Sequence, residues 1–267
     1  MTQTCSATAP GWGRARLMSA LVGILLAGVT LIGGLVALIR DPRDAALPYD
    51  DYVAQPVPAH PRTSVRDAIA AAPMLDAAPA DARRGTPSLT TPEPLAIPAP
   101  TTQGPAEVPS GFPHTPTGAV GQLAAIDATV LTAMDIPVAR DVYDHWTLPG
   151  APALEAWGPT AAVRAFRTAS NTTGPVAVAV TPVAAQIKGT DGPDWVLACV
   201  LHRIDAALTR AASIAYGRCE RLQWSDDRWV VAPGPSPAAA PSTWPGTDLA
   251  AAAGWRPWRT TTDQDPR

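Results

Sequence analysis

Leu17 to Ile39 runs 23 residues without a single charge. As an α-helix at about 1.5 Å per residue it would reach about 34 Å, enough to cross a hydrocarbon core about 30 Å thick. Arg14 and Arg16 precede the run, and Arg40 and Arg43 follow it. The pattern predicts one transmembrane helix over 17–39, and the rest of the chain is read relative to it. A cleaved signal peptide has a shorter apolar region followed by a small-x-small site. Here the run ends Val36-Ala37-Leu38-Ile39-Arg40 with no such site, no twin-arginine pair precedes it, and Cys5 lies too early for a lipoprotein cysteine. Basic residues are equal in number on the two flanks. The N-terminal flank carries no acid, whereas Asp41 and Asp44 offset the arginines beyond the span. With so short a tail, the expected topology puts 1–16 in the cytoplasm and the remainder outside.

The next segment is set by proline. Sixteen of the 31 prolines fall between Asp41 and Pro116, with few large apolar residues among them. Such a sequence buries little surface to offset the entropy of ordering. Residues 40–107 are therefore expected to be a disordered linker, partly polyproline II. Ser64 to Ile69 has the makings of a helical turn or two, without a core to pack against.

Large apolar residues resume near Phe112, and a folded domain is expected over 108–260. Thr115-Pro116 offers an N-cap followed by proline at the first helical position. Val120, Leu123, Ala124, Val130, Leu131 and Met134 then form one helical stripe, interrupted by Asp127. Ile136-Pro137 opens a second helix through Trp146, and a third runs from Leu154 to about Ser170, kinked or divided at Gly158-Pro159. The period then changes to two. Val176, Val178 and Val180 alternate with alanine, but past Thr181-Pro182 the apolar positions are Val183 and Ile187, so a bulge or break is expected there. Strands follow at Trp195–Ala206, Ser213–Trp224 and Trp229–Val231. Three helices followed by a meander of about four antiparallel strands make an α+β domain. Residues 261–267 read as a disordered tail.

The chain offers little to a chemist. Its formal net charge is −3, with one lysine, Lys188, so it lacks the basic signature of nucleic-acid binding. No CxxC occurs among the three cysteines, and no two of the four histidines share metal-ligand spacing. His202 and Asp205 look like a base and its orienter, but on one strand they face opposite ways. Asp226-Asp227 is a hairpin turn before it is a carboxylate pair. No Gly-rich phosphate loop, GxSxG or HExxH is present. The expectation is no catalytic residue, no metal and no cofactor.

Two features do carry structural content. If the strands around Cys199 and Cys219 pair about a turn at Leu208-Thr209-Arg210, opposed residues have numbers summing to 418. Cys199 and Cys219 satisfy that sum, and an exported domain permits a disulfide. The alternative is two buried free thiols. Trp244, Trp255 and Trp258 crowd the C-terminal segment, and a short helix over Leu249–Gly254 is expected to dock them back on the domain. An exposed aromatic partner site is the other reading.

In outline the chain resembles bitopic proteins with an NTF2-like extracytoplasmic domain, a cone of three helices on a curved sheet. The resemblance rests on Gly111-Phe112-Pro113 with Thr115-Pro116-Thr117-Gly118-Ala119-Val120 at the entry to the first helix. It rests also on Cys219-Glu220-Arg221-Leu222-Gln223-Trp224 with Asp227-Arg228-Trp229 as a terminal hairpin. Such domains occur in scaffold proteins of conjugative and type IV secretion systems, and in Mce-associated proteins of actinobacteria, whose arginine-rich, lysine-poor composition this chain shares. The resemblance implies a non-enzymatic scaffold in the cell membrane. It would act through contacts with other proteins of the transfer apparatus, and with its own copies as a homo-oligomer. The alternative is a small-ligand-binding protein or enzyme using the cone pocket.

Overall fold

The computed structural model describes residues 64–170, 176–207 and 211–261. The span expected at 17–39, the tail 1–16, the first part of the linker, the turn at 208–210 and residues 262–267 lie outside the described residues. Among the described residues no helix is long and apolar enough to cross a membrane.

Five helices and a curled six-stranded sheet make up a mixed α+β fold among these residues. In chain order they are α1 (Val65–Ala71), β1 (Leu95–Pro98), the short β2 (Thr102–Gln103) and β3 (Pro109–Ser110), α2 (Pro116–Ala133), α3 (Ile136–Trp146) and α4 (Gly158–Ser170). Then come β4 (Ala177–Thr190), β5 (Trp195–Ala207), β6 (Ala211–Ser225), β7 (Arg228–Val231), α5 (Asp248–Ala252) and β8 (Arg256–Thr261). The sheet order is β1-β8-β4-β5-β6-β7, and β2 pairs only with β3.

Local chemistry accounts for the long elements. Thr115 caps α2 by accepting the Gly118 N–H, with Pro116 in the first turn, and Met134 closes the helix in a left-handed conformation. Asp135 caps α3 in the same way by accepting from Val138 N–H. The third helix starts at Gly158, so Gly158-Pro159 divides it from Leu154 rather than kinking it. The β4–β5 register shifts between Pro182 and Ala184, where the apolar parity of the sequence changes. There Ala184 and Ala185 turn to pair with Pro257 and Arg256 of β8.

The expected fold class is corrected here. The sheet is not a four-stranded NTF2-like cone behind a Pro-rich linker. Two further strands extend it past β4, and β1, from within the segment assigned to the linker, pairs with β8 in parallel, Leu95 opposite Trp258. Residues 64–107 are part of the fold. Ile97 is fully buried, and Ala70, Ala82 and Leu95 nearly so. The physical reason lies in the backbone. Proline has no N–H to leave unsatisfied, so a Pro-rich segment lies on a protein surface at low cost if its few donors find partners. Conversely, its carbonyls serve the rest of the chain: Ala215 N–H donates to Ala82 O at 2.7 Å and Trp244 N–H to Asp81 O at 2.6 Å.

The sheet is consequently covered on both faces. On one, α2 packs on Val196, Ala198, Val200 and Leu222, while α3 and α4 cover Val178 and Ile204. On the other, α1 lies over Trp195 and Leu197, and Trp255 with Ala250 covers Cys199, Leu201 and Cys219. The close seat of α1 requires glycine at 189, where a Cβ would lie 2.6 Å from Cγ2 of Ile69. Around it, Arg221 meets Asp67 at 2.8 Å, and Arg66 meets Asp191 at 2.6 Å.

Candidate functional site

The 418 register holds along the whole β5–β6 ladder, from Trp195 opposite Gln223 to Ala207 opposite Ala211. It therefore sorts side chains by parity. The odd-numbered residues of β6 turn their backbone groups away from β5, since Ala215 N–H reaches Ala82 and Arg221 O accepts from Ala232. Cys199 and Cys219 are such a non-hydrogen-bonded pair. They form a disulfide with Cα atoms 4.0 Å apart, and Met74 Sδ lies 3.5 Å from Cys219 Sγ.

The even-numbered residues face α2, and that parity assembles a network of charges. Asp127 of α2 and His202 of β5 are wholly buried, with His202 Nε2 3.1 Å from Asp127 Oδ2. Arg218 of β6 donates to the other oxygen of Asp127 and, through its second terminal nitrogen, to Glu220. The backbone N–H of Arg221 donates to Glu220 Oε1 at 3.1 Å. Arg218 thus bridges two buried carboxylates, one of which also holds the histidine. Burial pushes the Glu220 carboxyl up, more than Arg218 and the Arg221 N–H pull it down. Burial alone would lower the Arg218 guanidinium, but Asp127 and then Glu220 outweigh it and raise it. Beside them burial pushes the Tyr216 phenol up to about 12.

The start of α4 closes the network. Trp157 is wholly buried with the Arg218 guanidinium 5.5 Å from its ring centre. Gly158 lets the helix start come this close, since a Cβ there would sit 2.9 Å from Arg218 Nε. Tyr143 packs edge-on against the same indole. A cleft of about 380 Å³ outside this layer is lined by Trp157, Gly158, Tyr216, Arg218, Glu220 and Ser242, among others, but not by His202 or Asp127.

This arrangement limits the chemistry. An acid–base dyad needs a ring nitrogen facing the reacting group. His202 uses Nε2 on Asp127, and its Nδ1 is buried without a partner. Asp205 lies on the other face, held by Arg203 Nε at 2.9 Å and Ser213 Oγ at 2.5 Å. His202, Arg203 and Asp205 do not converge. Among the described residues no group of three His, Cys, Asp or Glu is placed to hold a metal ion. The tryptophans of the C-terminal segment take structural positions. Trp255 is buried and donates to Pro241 O at 3.0 Å, Trp244 is half-buried against the same cluster, and half-buried Trp258 packs near Leu95 and donates to Thr260 Oγ1 at 2.9 Å. The short helix expected over Leu249–Gly254 is α5, which starts one residue earlier and ends two earlier.

Arg218 and Glu220 are the members of the network that sequence reasoning missed. The signal was present in the register: both fall on the even face of β6, opposite Val200 and Ala198 of a strand that is almost wholly apolar there.

No family model, curated protein or solved structure matches the chain.

Proposed function

We propose that the chain is a non-enzymatic scaffold of the membrane-associated apparatus of conjugative transfer, working by contacts with other proteins. The observation that carries the non-enzymatic reading is the full burial of His202 and Asp127, which lie off the cleft that Trp157, Arg218 and Glu220 line. A substrate would have to displace Trp157 and break Arg218 from both carboxylates to reach His202 and Asp127. A histidine–carboxylate pair held off that cleft and tied into buried ion pairs suits a structural keystone better than a reaction site. The apolar span at 17–39 and the disulfide support a tethered domain outside the cytoplasm. The transfer apparatus itself is inferred from that arrangement of span and outer domain. An in-frame deletion in a donor strain tests it. Transfer frequency should fall by orders of magnitude and return with the intact gene in trans. Unchanged transfer would contradict the assignment.

A further inference from the structure

Part of the outer edge of β6 is unpaired. The even-numbered residues of β6 exchange backbone hydrogen bonds with β5, so the N–H and C=O groups of the odd-numbered residues point the other way. Several of these find partners: Ala215 N–H donates to Ala82 O, Gly217 N–H to Ser242 Oγ at 3.0 Å, and Arg221 O accepts from Ala232 N–H. Gly217 O, Cys219 N–H and Cys219 O have none among the described residues. Gly217 and Cys219 lie on the floor of the cleft of about 380 Å³. Pro152, Ala156 and Trp157 line it on the Arg218 side, and Ala239 and Ala240 on the disulfide side. The buried indole N–H of Trp157 is also without a partner.

We propose that an extended segment of a partner protein docks in this cleft, pairs with the free edge of β6 and brings a basic side chain to Glu220. The three free groups run acceptor, donor, acceptor along one strand, which is the complement of a peptide backbone. Ser242 on Gly217 and Ala232 on Arg221 close the two ends. Between them the edge is about 13 Å long at about 3.3 Å per residue, so the added strand is short and its binding weak. Its side chains would alternate between the two walls. On one wall Arg218 shares a single positive charge between Asp127 and Glu220, so a lysine or arginine entering beside Glu220 supplies a second cation. The other wall is uncharged and made of alanines, and suits a small apolar side chain. The disulfide ties Cys219 to β5, so ordering this edge on contact costs little. The inference goes beyond the proposed function and holds whichever apparatus the chain serves.

Nuclear magnetic resonance of the full chain in detergent, isotope-labelled only at the amide nitrogens of its three cysteines, tests this. The probe is a blocked five-residue peptide, a central lysine between two valines with a threonine at either end. In the free chain the Cys219 amide should exchange with solvent faster than that of Cys199, which faces β4 inside the sheet. Adding the peptide should shift the Cys219 signal saturably and slow its exchange about tenfold. Two altered peptides should each bind about tenfold more weakly: one N-methylated at every amide, which keeps the side chains and loses the donors, and one with glutamate for lysine. Ala239→Trp and Ala156→Trp fill the cleft from exposed positions on its two walls. Each should weaken the original peptide about tenfold and leave the thermal transition unchanged. A Cys219 amide already as protected as that of Cys199, a signal indifferent to millimolar peptide, or one moved as readily by either altered peptide overturns the proposal.

Discussion

Replacing Arg218 with methionine should be among the most damaging single changes to this domain. The substitution keeps most of the side chain's apolar length and removes only the guanidinium. It leaves Asp127, wholly buried, with His202 as its one remaining partner, and Glu220, 4% exposed, with the Arg221 N–H alone. Breaking a buried ion pair by removing one partner costs about 3–5 kcal/mol, because a charge is left buried without compensation. Whole domains are stable by only about 5–15 kcal/mol. Urea unfolding followed by tryptophan fluorescence should therefore show a large fall in midpoint at unchanged slope. The loss should depend on pH with a definite sign. The Glu220 carboxyl is already raised by burial against the pull of Arg218, and removing Arg218 raises it further. A raised carboxyl contributes stability below its unfolded value, about 4.3, and loses that contribution as pH rises through the folded value. The variant should therefore recover part of its loss as pH is lowered toward about 5. The charge-free triple Asp127→Asn, Arg218→Met, Glu220→Gln should be more stable than the single variant, since no charge remains unpaired. A loss below about 1 kcal/mol for Arg218→Met, or a triple variant worse than the single, would refute the account of the network.

Two further changes probe the rest of the fold. Cys199→Ala with Cys219→Ala opens a loop of sequence separation 20 and should cost about 3 kcal/mol by loop-closure entropy, read as a lower urea midpoint; an unchanged midpoint would remove the bridge from the stability account. Ile97→Ala, within the Pro-rich segment, should cost about 2–5 kcal/mol because the side chain is wholly buried, whereas a residue of a disordered linker would cost nothing in the same assay.

Much of the secondary structure was legible because it rests on local signals. Thr115-Pro116, Asp135-Ile136-Pro137 and the change of period after Ser170 each mark an element without help from the rest of the chain. The β5–β6 register was legible too, since a single sum placed Cys199 opposite Cys219 and every other pair followed. The six-stranded sheet was not. β1 exists because Leu95 and Ile97 find β8 some 160 residues later, with Arg256 reaching back to Glu93 O at 2.8 Å. Composition reported a shortage of apolar residues in that segment and could not report that Ala70, Ala82, Leu95 and Ile97 among them are buried against the rest of the chain. The charge network was hidden for a similar reason. Asp127 stood out on its helix and His202 on its strand, but only the tertiary packing of α2 across β5 and β6 brings the two together with Arg218.

The central claim is that this protein acts through its surfaces and not through its buried His202–Asp127 pair. His202→Gln tests it most directly, because glutamine keeps a hydrogen-bond donor for Asp127 but cannot act as a base. Transfer frequency should be measured in a deletion donor complemented with that variant, at a membrane level matched to the unaltered protein. The account predicts transfer within about twofold of the unaltered protein, far from the 10²–10⁴-fold loss expected when a general base is removed. A variant present at full level yet unable to support transfer would contradict it.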